Sequence, residues 1–289
     1  MNESMKSWKT SRFEIDLLRP RVMGIVNVTP DSFSDGGTHD RPASALRHCE
    51  RLLEEGCDIL DLGGESTRPG SPAVPLEEEL ARVMPVLKEA VRLGVPVSVD
   101  TYKPDVMRAA LDSGADIIND IWALRQPGAL DVVAQHASCG VCLMHMHRDP
   151  QTMQAAPMSD SVLAPVKAFL GERSITLQAN GVSADRIVLD PGIGFGKTVA
   201  QNFELLARQA ELLSLNHAVL AGWSRKSSLG VVTGIGPAAE RAVPSVAAAL
   251  LAVDRGARIV RVHDVAATVA ALAVWQAMLE QRPTHTSEE

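Results

Sequence analysis

Eight short apolar runs punctuate the chain, and each closes on polar residues: VMGIVNVTPD, ILDLGGES, VPVSVDTY, DIINDI, VCLMHMH, RIVLDPG, AVLAGWSRK and RIVRVHD. Each is strand-length and largely apolar on both faces, the pattern of strands buried in a parallel sheet. Between the runs the hydrophobic residues change to helical spacing. Over residues 43–55, Ala45, Leu46, Cys49, Leu52 and Leu53 fall on one stripe, and Leu80, Val83, Met84, Leu87 and Val91 do the same in the next segment. Gly56, Gly94, Gly114 and Gly256 each follow a helical stretch and shortly precede a strand, where a left-handed helix stop favours glycine. Strand and helix alternating eight times predict an α/β fold, a (β/α)8 TIM barrel in a single domain. A doubly wound sheet is the structural alternative. Its first strand would more often lead into a phosphate loop, and TPDSFSDGG lacks the G-x-G-x-x-G spacing.

The barrel is predicted over residues 21–281, with an N-terminal extension at 1–20 and a C-terminal tail at 282–289. Two connections break the plain alternation: TPDSFSDGGTHDRP and STRPGSPAVP, after the first and second strands, are long and rich in Gly, Pro and Ser. Loops of this kind after barrel strands carry function or act as lids. Residues 149–160 form a further irregular stretch before a helix.

Composition narrows the function. A chain of 289 residues with 46% apolar residues can fill one barrel core, which makes disorder a poor reading. Aromatic residues are only 3%, so widespread stacking on nucleic-acid bases is excluded. The net charge, 28 minus 35 or −7, opposes binding to phosphate backbones and anionic membranes. The first twenty residues contain no apolar signal core and no run reaches the roughly 18 apolar residues of a membrane span, so a cytoplasmic location is expected. Four cysteines are too few for a disulfide scaffold. Cys139 and Cys142 form C-x-x-C but lead into an apolar strand, which points to core packing rather than redox chemistry; Cys49 and Cys57 read as core or helix-face residues.

In a barrel the active site lies at the carboxyl ends of the strands. The polar residues ending the eight runs therefore converge on one mouth: Asn27, Asp61, Asp100, Asn119, Asp190, Lys226, Arg261 and His263. Any one of these could merely cap a helix; the recurrence at every strand weakens that account. Asp100, Asp190 and Asn119 offer acceptors and a donor to the edge of a planar nitrogen heterocycle, with Lys226 available for its carbonyl or for developing negative charge. Arg68, Arg261 and His263 suit a phosphate or pyrophosphate. A surface salt-bridge role is the bland alternative for the arginines, and for Arg261 its neighbours Ile259, Val260 and Val262 argue against it. Asn27 can add an oxygen ligand to Mg2+, which uses few protein ligands and shares phosphate oxygens. His145-x-His147 is a weak metal signal on this strand, and GIGFG at 192–196 is a weak nucleotide signal.

The same residues resemble a known family. GIVNVTPDSFSDGG at 24–37, DLGGESTRPG at 61–70, SVDTYKP, NDI, VCLMHM, LDPGIGFGK at 189–197, SRKS at 224–227 and RVHDV at 261–265 are similar to the ordered motif set of the dihydropteroate synthases. The resemblance covers about residues 21 to 275. It implies a homodimeric barrel enzyme of folate biosynthesis, a target of sulfonamides, that joins 6-hydroxymethyl-7,8-dihydropterin pyrophosphate to para-aminobenzoate with release of pyrophosphate and need of Mg2+. By the same resemblance Asp100, Asn119, Asp190 and Lys226 hold the pterin edge, with Met144 and Phe195 against its ring. Pyrophosphate lies against Asn27, Arg68, Arg261 and His263, with Mg2+ at Asn27. Para-aminobenzoate is enclosed by Phe33, Thr67 and Pro69, with Ser227 and Lys226 beside it and Asp35 on the first loop. Lys226, Arg261, His263 and Asp100 are the catalytic set. One stretch departs from the pattern: IWALRQPGAL carries Trp122 and Arg125 where smaller residues are expected, and Arg225 within SRKS has no implied ligand. The rivals are a pterin-dependent methyltransferase, which would have little use for Arg68, SRKS and RVHD, a metal-dependent hydrolase built on H-x-H, and a non-catalytic pterin-binding protein.

Overall fold

The computed structural model describes residues 5–29, 41–67 and 70–281. Near the N-terminus two short strands, β1 (Ser7–Lys9) and β2 (Glu14–Asp16), pair antiparallel. The eight apolar runs then supply eight parallel strands: β3 (Arg21–Asn27), β4 (Ile59–Gly63), β5 (Val97–Asp100), β6 (Ile117–Asp120), β7 (Gly140–Met144), β8 (Ile187–Asp190), β9 (Ala218–Ala221) and β10 (Ala257–Val262). Each pairs with its successor and β10 returns to β3, so the sheet closes and no edge is left to aggregate. Among the described residues the strands alternate with α1 (Arg41–Glu54), α2 (Leu76–Ala90), α3 (Pro104–Asp112), α4 (Ala129–Gln135), α5 (Leu163–Ala179), α6 (Val199–Ala207), α7 (Ser227–Thr233), α8 (Ala242–Asp254) and α9 (Val265–Glu280). This is the (β/α)8 barrel of the sequence pattern, with one addition. Two helices, α7 and α8, follow β9, because Gly234 ends α7 after seven residues in a left-handed turn (φ 74°).

The helix stripes face the sheet as their spacing requires. Ala45, Cys49 and Leu52 of α1 and Val83 and Leu87 of α2 are buried, with Leu53, Leu80, Met84 and Val91 packed partly against them. Gly56, Gly94, Gly114 and Gly256 all hold φ between 76° and 97°, a region costly for any side chain with a Cβ.

The barrel interior is tiered. Its floor is apolar apart from the buried Ser98 of β5: Met23, Ile59, Ile117, Cys142, Val188, Ala218, Leu220 and Ile259 form one cluster with Trp8, Ile15 and Leu17 from the residues that precede the barrel. Trp8 and Leu17 are fully buried, and the Trp8 indole donates to the Arg186 carbonyl at 2.9 Å. The hairpin is fastened by Arg12, whose guanidinium and backbone N–H bind the buried Asp116 at 2.6–3.1 Å. Above the floor the parallel register sets Asn27, Gly63, Asp100 and Asn119 side by side at the carboxyl ends of β3 to β6, with Met144 level with Asp190 across β7 and β8. The residues before the barrel therefore seal the end opposite to these polar groups.

Truncating Trp8 should expose this dependence. Trp8→Ala is expected to lower unfolding stability by about 3–5 kcal/mol, the usual cost of deleting a large buried aromatic, which a urea melt would measure; a loss below about 1 kcal/mol would mean that the hairpin does not hold the floor.

Candidate active site

At the carboxyl ends of the strands the barrel opens into a cleft of about 350 Å³. Asn27, Thr67, Asp100, Asn119, Met144, Asp190, Phe195, Lys226, Ser227, Arg261 and His263 all line it. The remaining sequence candidates, Phe33, Asp35, Arg68 and Pro69, lie outside the described residues. Asp61 does not line the cleft. It sits below, completely buried inside β4.

Arg261 occupies the centre of this arrangement. The strand-end pattern grouped it with the phosphate-binding cations, and the contacts that it makes within the protein run to carboxylates. In the structure its Nε donates to Asp61 Oδ2 at 2.6 Å and its Nη2 donates to Asp100 Oδ2 at 2.7 Å, while Asn119 Nδ2 reaches the same Asp61 oxygen at 3.3 Å. The reason is electrostatic: a fully buried carboxylate such as Asp61 must be paired, and a long side chain from β10 can reach it. One guanidinium thus serves two carboxylates. Burial raises the pKa of Asp100, with Arg261 pulling the other way and Asp61 adding to the rise. Burial also opposes the Arg261 charge, but the Asp61 and Asp100 carboxylates outweigh it and hold the guanidinium pKa above its ordinary value. Asp190 is raised by burial too, against the hydrogen bond that its Oδ1 accepts from Gly192 N–H at 2.7 Å and against the charge of Lys226.

One wall of the cleft is apolar. Ile121, Met144, Met146, Met153 and Phe195 form a cluster, with Tyr102 and Trp122 partly packed on it. Lys226 lies over the Phe195 ring at 4.3 Å, which places the ammonium between the apolar wall and the polar groups. Trp122 and Arg125, the atypical pair, belong to a turn that Asp120 organises by accepting the backbone N–H groups of Trp122 (2.8 Å) and Leu124 (2.7 Å). Those bonds hold Ala123 and Leu124 at φ 52° and 57°, and Arg125 stacks over Trp122 and Phe169 at 4.9 and 5.2 Å.

The two weak motifs explain each other. Gly192, Gly194 and Gly196 have φ of 69°, 83° and 70°, and a Cβ on Gly192 would stand 1.9 Å from the His145 carbonyl oxygen. The loop therefore turns tightly against the H-x-H strand end. Lys197 clamps it: its buried Nζ reaches the carbonyls of Gly192 (2.8 Å) and Phe195 (3.1 Å) and His145 Nδ1 (3.0 Å). Burial pushes the Lys197 pKa down to about 7, and burial together with Lys197 pushes His145 down to about 2, so His145 stays neutral. Among the described residues no three His, Cys, Asp or Glu side chains gather to hold a metal. All four cysteines are free and buried, and burial pushes the Cys49 and Cys57 thiols up to about 12, as suits core residues.

Several lining residues escape the sequence reading. Glu65 accepts from the Tyr102 hydroxyl (2.9 Å) and the Val74 N–H (3.2 Å), and pairs with Lys103. Its only signal is its place just after β4. Met153 comes from the irregular 149–160 stretch, and Arg241 is anchored on the Ile235 and Arg225 carbonyls at 3.0 and 3.1 Å; neither carries a motif. Arg225 bonds both oxygens of Asp264, at 2.6 and 3.1 Å, and so orders the rim.

The family described as "Pterin binding enzyme" matches residues 23–263, so the chain belongs to the pterin-binding enzymes. Within that class it is similar to dihydropteroate synthases. It is 51% identical over 276 residues to the dihydropteroate synthase of Neisseria meningitidis serogroup B, covering 94% of this chain and 97% of that one. Among solved structures, the Xanthomonas albilineans dihydropteroate synthase with 4-aminobenzoic acid matches with a TM-score of 0.88 at 55% identity, over 93% of this chain and 96% of the other. The Burkholderia cenocepacia dihydropteroate synthase complexed with 7,8-dihydropteroate matches with a TM-score of 0.86 at 52% identity, over 96% and 98%. This chain is an enzyme of the dihydropteroate synthase type.

The glycine loop offers a direct check on the packing of the site. Gly192→Ala is expected to destabilise the fold by more than about 1 kcal/mol, since it combines a left-handed φ with a backbone collision. Chemical denaturation would measure this, and an unchanged midpoint would show that the loop relaxes freely away from His145.

Proposed function

We infer that this chain joins 6-hydroxymethyl-7,8-dihydropterin pyrophosphate to para-aminobenzoate, yielding 7,8-dihydropteroate and pyrophosphate. The observation that carries the reading is a single cleft with Asp100, Asn119 and Asp190 at its base, an apolar wall at its side and Lys226, Arg261 and His263 around it. The pterin edge is assigned to Asp100, Asn119, Asp190 and Lys226, and the ring to the Met144–Phe195 wall. The diphosphate is assigned to Arg261, His263 and Asn27, with Arg68 from the second loop. Para-aminobenzoate is assigned to Thr67 and Ser227 beside Lys226, with Phe33, Asp35 and Pro69 completing the enclosure. The catalytic unit is taken as residues 21–281, with 1–20 as extension and 282–289 as tail.

The chemistry follows from where charge develops. The bond between the pterin methylene and the diphosphate oxygen breaks, the oxygen leaves with the electron pair, and the aniline nitrogen attacks the methylene carbon and gives up a proton. Cationic groups beside the departing diphosphate stabilise it more in the transition state than in the ground state. A neutral aniline needs no strong base once the electrophile has formed, which agrees with a cleft built from carboxylates and cations rather than around a serine or cysteine nucleophile. Closing the cleft against water protects the electrophile.

Asn27 fits a modest role toward Mg2+. Its half-buried side chain lines the cleft and makes no hydrogen bond to another described residue, so its amide oxygen is available as one hard ligand, the remainder coming from diphosphate oxygens and water. Bound there, the ion would neutralise charge on the leaving group. A homodimer is the assembly that best accounts for Val231, Val232, Val243, Leu251, Val274 and Met278, large apolar side chains exposed on the successive helices α7, α8 and α9. A cytoplasmic location belongs to the same reading; no helix among the described residues is long and apolar enough to cross a membrane.

A coupled assay is expected to show pyrophosphate release that depends on both substrates and on Mg2+; release without para-aminobenzoate would mark a hydrolase instead. Lys226→Ala is expected to weaken pterin binding and to lower turnover by about 10²–10³-fold, the usual effect of losing one preorganised charge-stabilising group; near-normal condensation would remove Lys226 from the site. A third outcome concerns pH. Asp100 accepts pterin N–H groups as a carboxylate, and burial raises its pKa, so lowering the pH protonates it sooner than an ordinary aspartate at roughly 4. Pterin affinity measured by calorimetry is therefore expected to fall as pH drops from about 8 to about 5, and Asp100→Asn is expected to bind weakly throughout, without that slope.

A further inference from the structure

Ser224 stands at the turn after β9, buried at 7% exposure, and lines the cleft beside His263. Its Oγ accepts the backbone N–H of His263 at 3.0 Å and lies 2.9 Å from His263 Nδ1. A serine hydroxyl has one proton and two acceptor lone pairs. The backbone N–H occupies one lone pair. The contact with the ring then has two settings. In one, Oγ–H donates to Nδ1. In the other, Nδ1–H donates to the second lone pair and the hydroxyl proton must find another acceptor. Among the described residues Oγ makes no other hydrogen bond. Stranding a buried hydroxyl proton biases the equilibrium by roughly 5- to 150-fold, so the first setting prevails.

We propose that Ser224 is a positioning residue that holds neutral His263 in its Nε2–H tautomer, so that the ring offers a hydrogen-bond donor to the departing diphosphate without first gaining a proton. The opposite tautomer would turn a nitrogen lone pair toward an anion. The double contact, to the ring and to the backbone of the same residue, also fixes the ring's direction. This proposal rests on the assignment of the diphosphate end to Arg261 and His263.

The test reads the tautomer directly. In protein labelled with 15N-histidine, the His263 ring signals are identified by their loss in His263→Gln and recorded above the pH at which the ring is neutral. Wild type is expected to show Nε2 protonated and Nδ1 bare, Ser224→Thr to keep that state, and Ser224→Ala to lose it. A protonated Nδ1 in wild type, or an unchanged tautomer in Ser224→Ala, would overturn the proposal. Kinetically, Ser224→Ala is expected to lower kcat/KM for the pterin pyrophosphate by about 5- to 10-fold, the worth of one net hydrogen bond, and Ser224→Thr to restore it. The KM for para-aminobenzoate and the affinity for 6-hydroxymethylpterin without its diphosphate are expected to be unchanged. An equal loss of affinity for that free pterin would show a general structural defect and overturn the positioning role. If the tautomer shifts as expected while binding and turnover of the diphosphate substrate do not, the diphosphate assignment fails, and with it the catalytic part of the proposal.

Discussion

A single guanidinium shared between two carboxylates inside the barrel is the constraint on which the cleft depends. Asp61 projects from β4 into the barrel with no exposure to solvent, and the cost of isolating a carboxylate there exceeds anything that packing alone returns. Arg261 crosses from β10 to meet it and continues to Asp100 on β5, so three strands of the closed sheet are tied at one level. Such a buried cluster does not by itself imply high stability. What it fixes is geometry: the Asp100 oxygen, the Asn119 amide and the guanidinium plane are set against each other before any ligand arrives.

The two tiers of the barrel follow from that requirement. Charge in the interior is confined to the level where Arg261 can answer it, so the lower tier is apolar apart from the small hydroxyl of Ser98, which is buried beside Ile117, and it is closed from beneath by Trp8 and Leu17. With the floor sealed, the upper tier opens at one end only. The apolar wall and the clamped glycine loop then decide the shape of the opening. Lys197 draws the loop in through carbonyl oxygens, which brings Phe195 under Lys226 and lets Gly192 N–H meet Asp190. Structural and functional polarity are thus interleaved rather than segregated.

Much of this was legible in the sequence for a specific reason. Strands covered on both faces are apolar in most positions, with polarity concentrated toward their carboxyl ends, so strand positions and site residues are written in the same eight segments. Asp100, Asn119, Asp190, Lys226, Arg261 and His263 were recognisable on that ground. Asp61 was recognisable as polar but not as buried, because the stagger of neighbouring strands decides which tier a residue occupies and no periodicity reports stagger. The same limit hid the contact between Arg261 and the carboxylates. The β1–β2 hairpin was illegible because three-residue strands carry no period. Met153, Arg241 and the Ser224–His263 contact depend on loop paths with no repeating pattern to read.

The interior pairing also bears on how the inferred reaction distributes its charge. Arg261 is not a free cation waiting at a rim; most of its charge is already answered by Asp61 and Asp100, so its attraction for a diphosphate is weaker than a bare guanidinium would supply. That attraction grows when a bound heterocycle donates N–H groups to Asp100 and takes over part of the carboxylate's hydrogen bonding. On the proposed assignment, the carboxylate that meets the pterin and the guanidinium that meets the diphosphate are themselves bonded, through Asp100 Oδ2. On that assignment a substrate carrying both the heterocycle and the diphosphate would gain from the linkage, and an isolated phosphate would not.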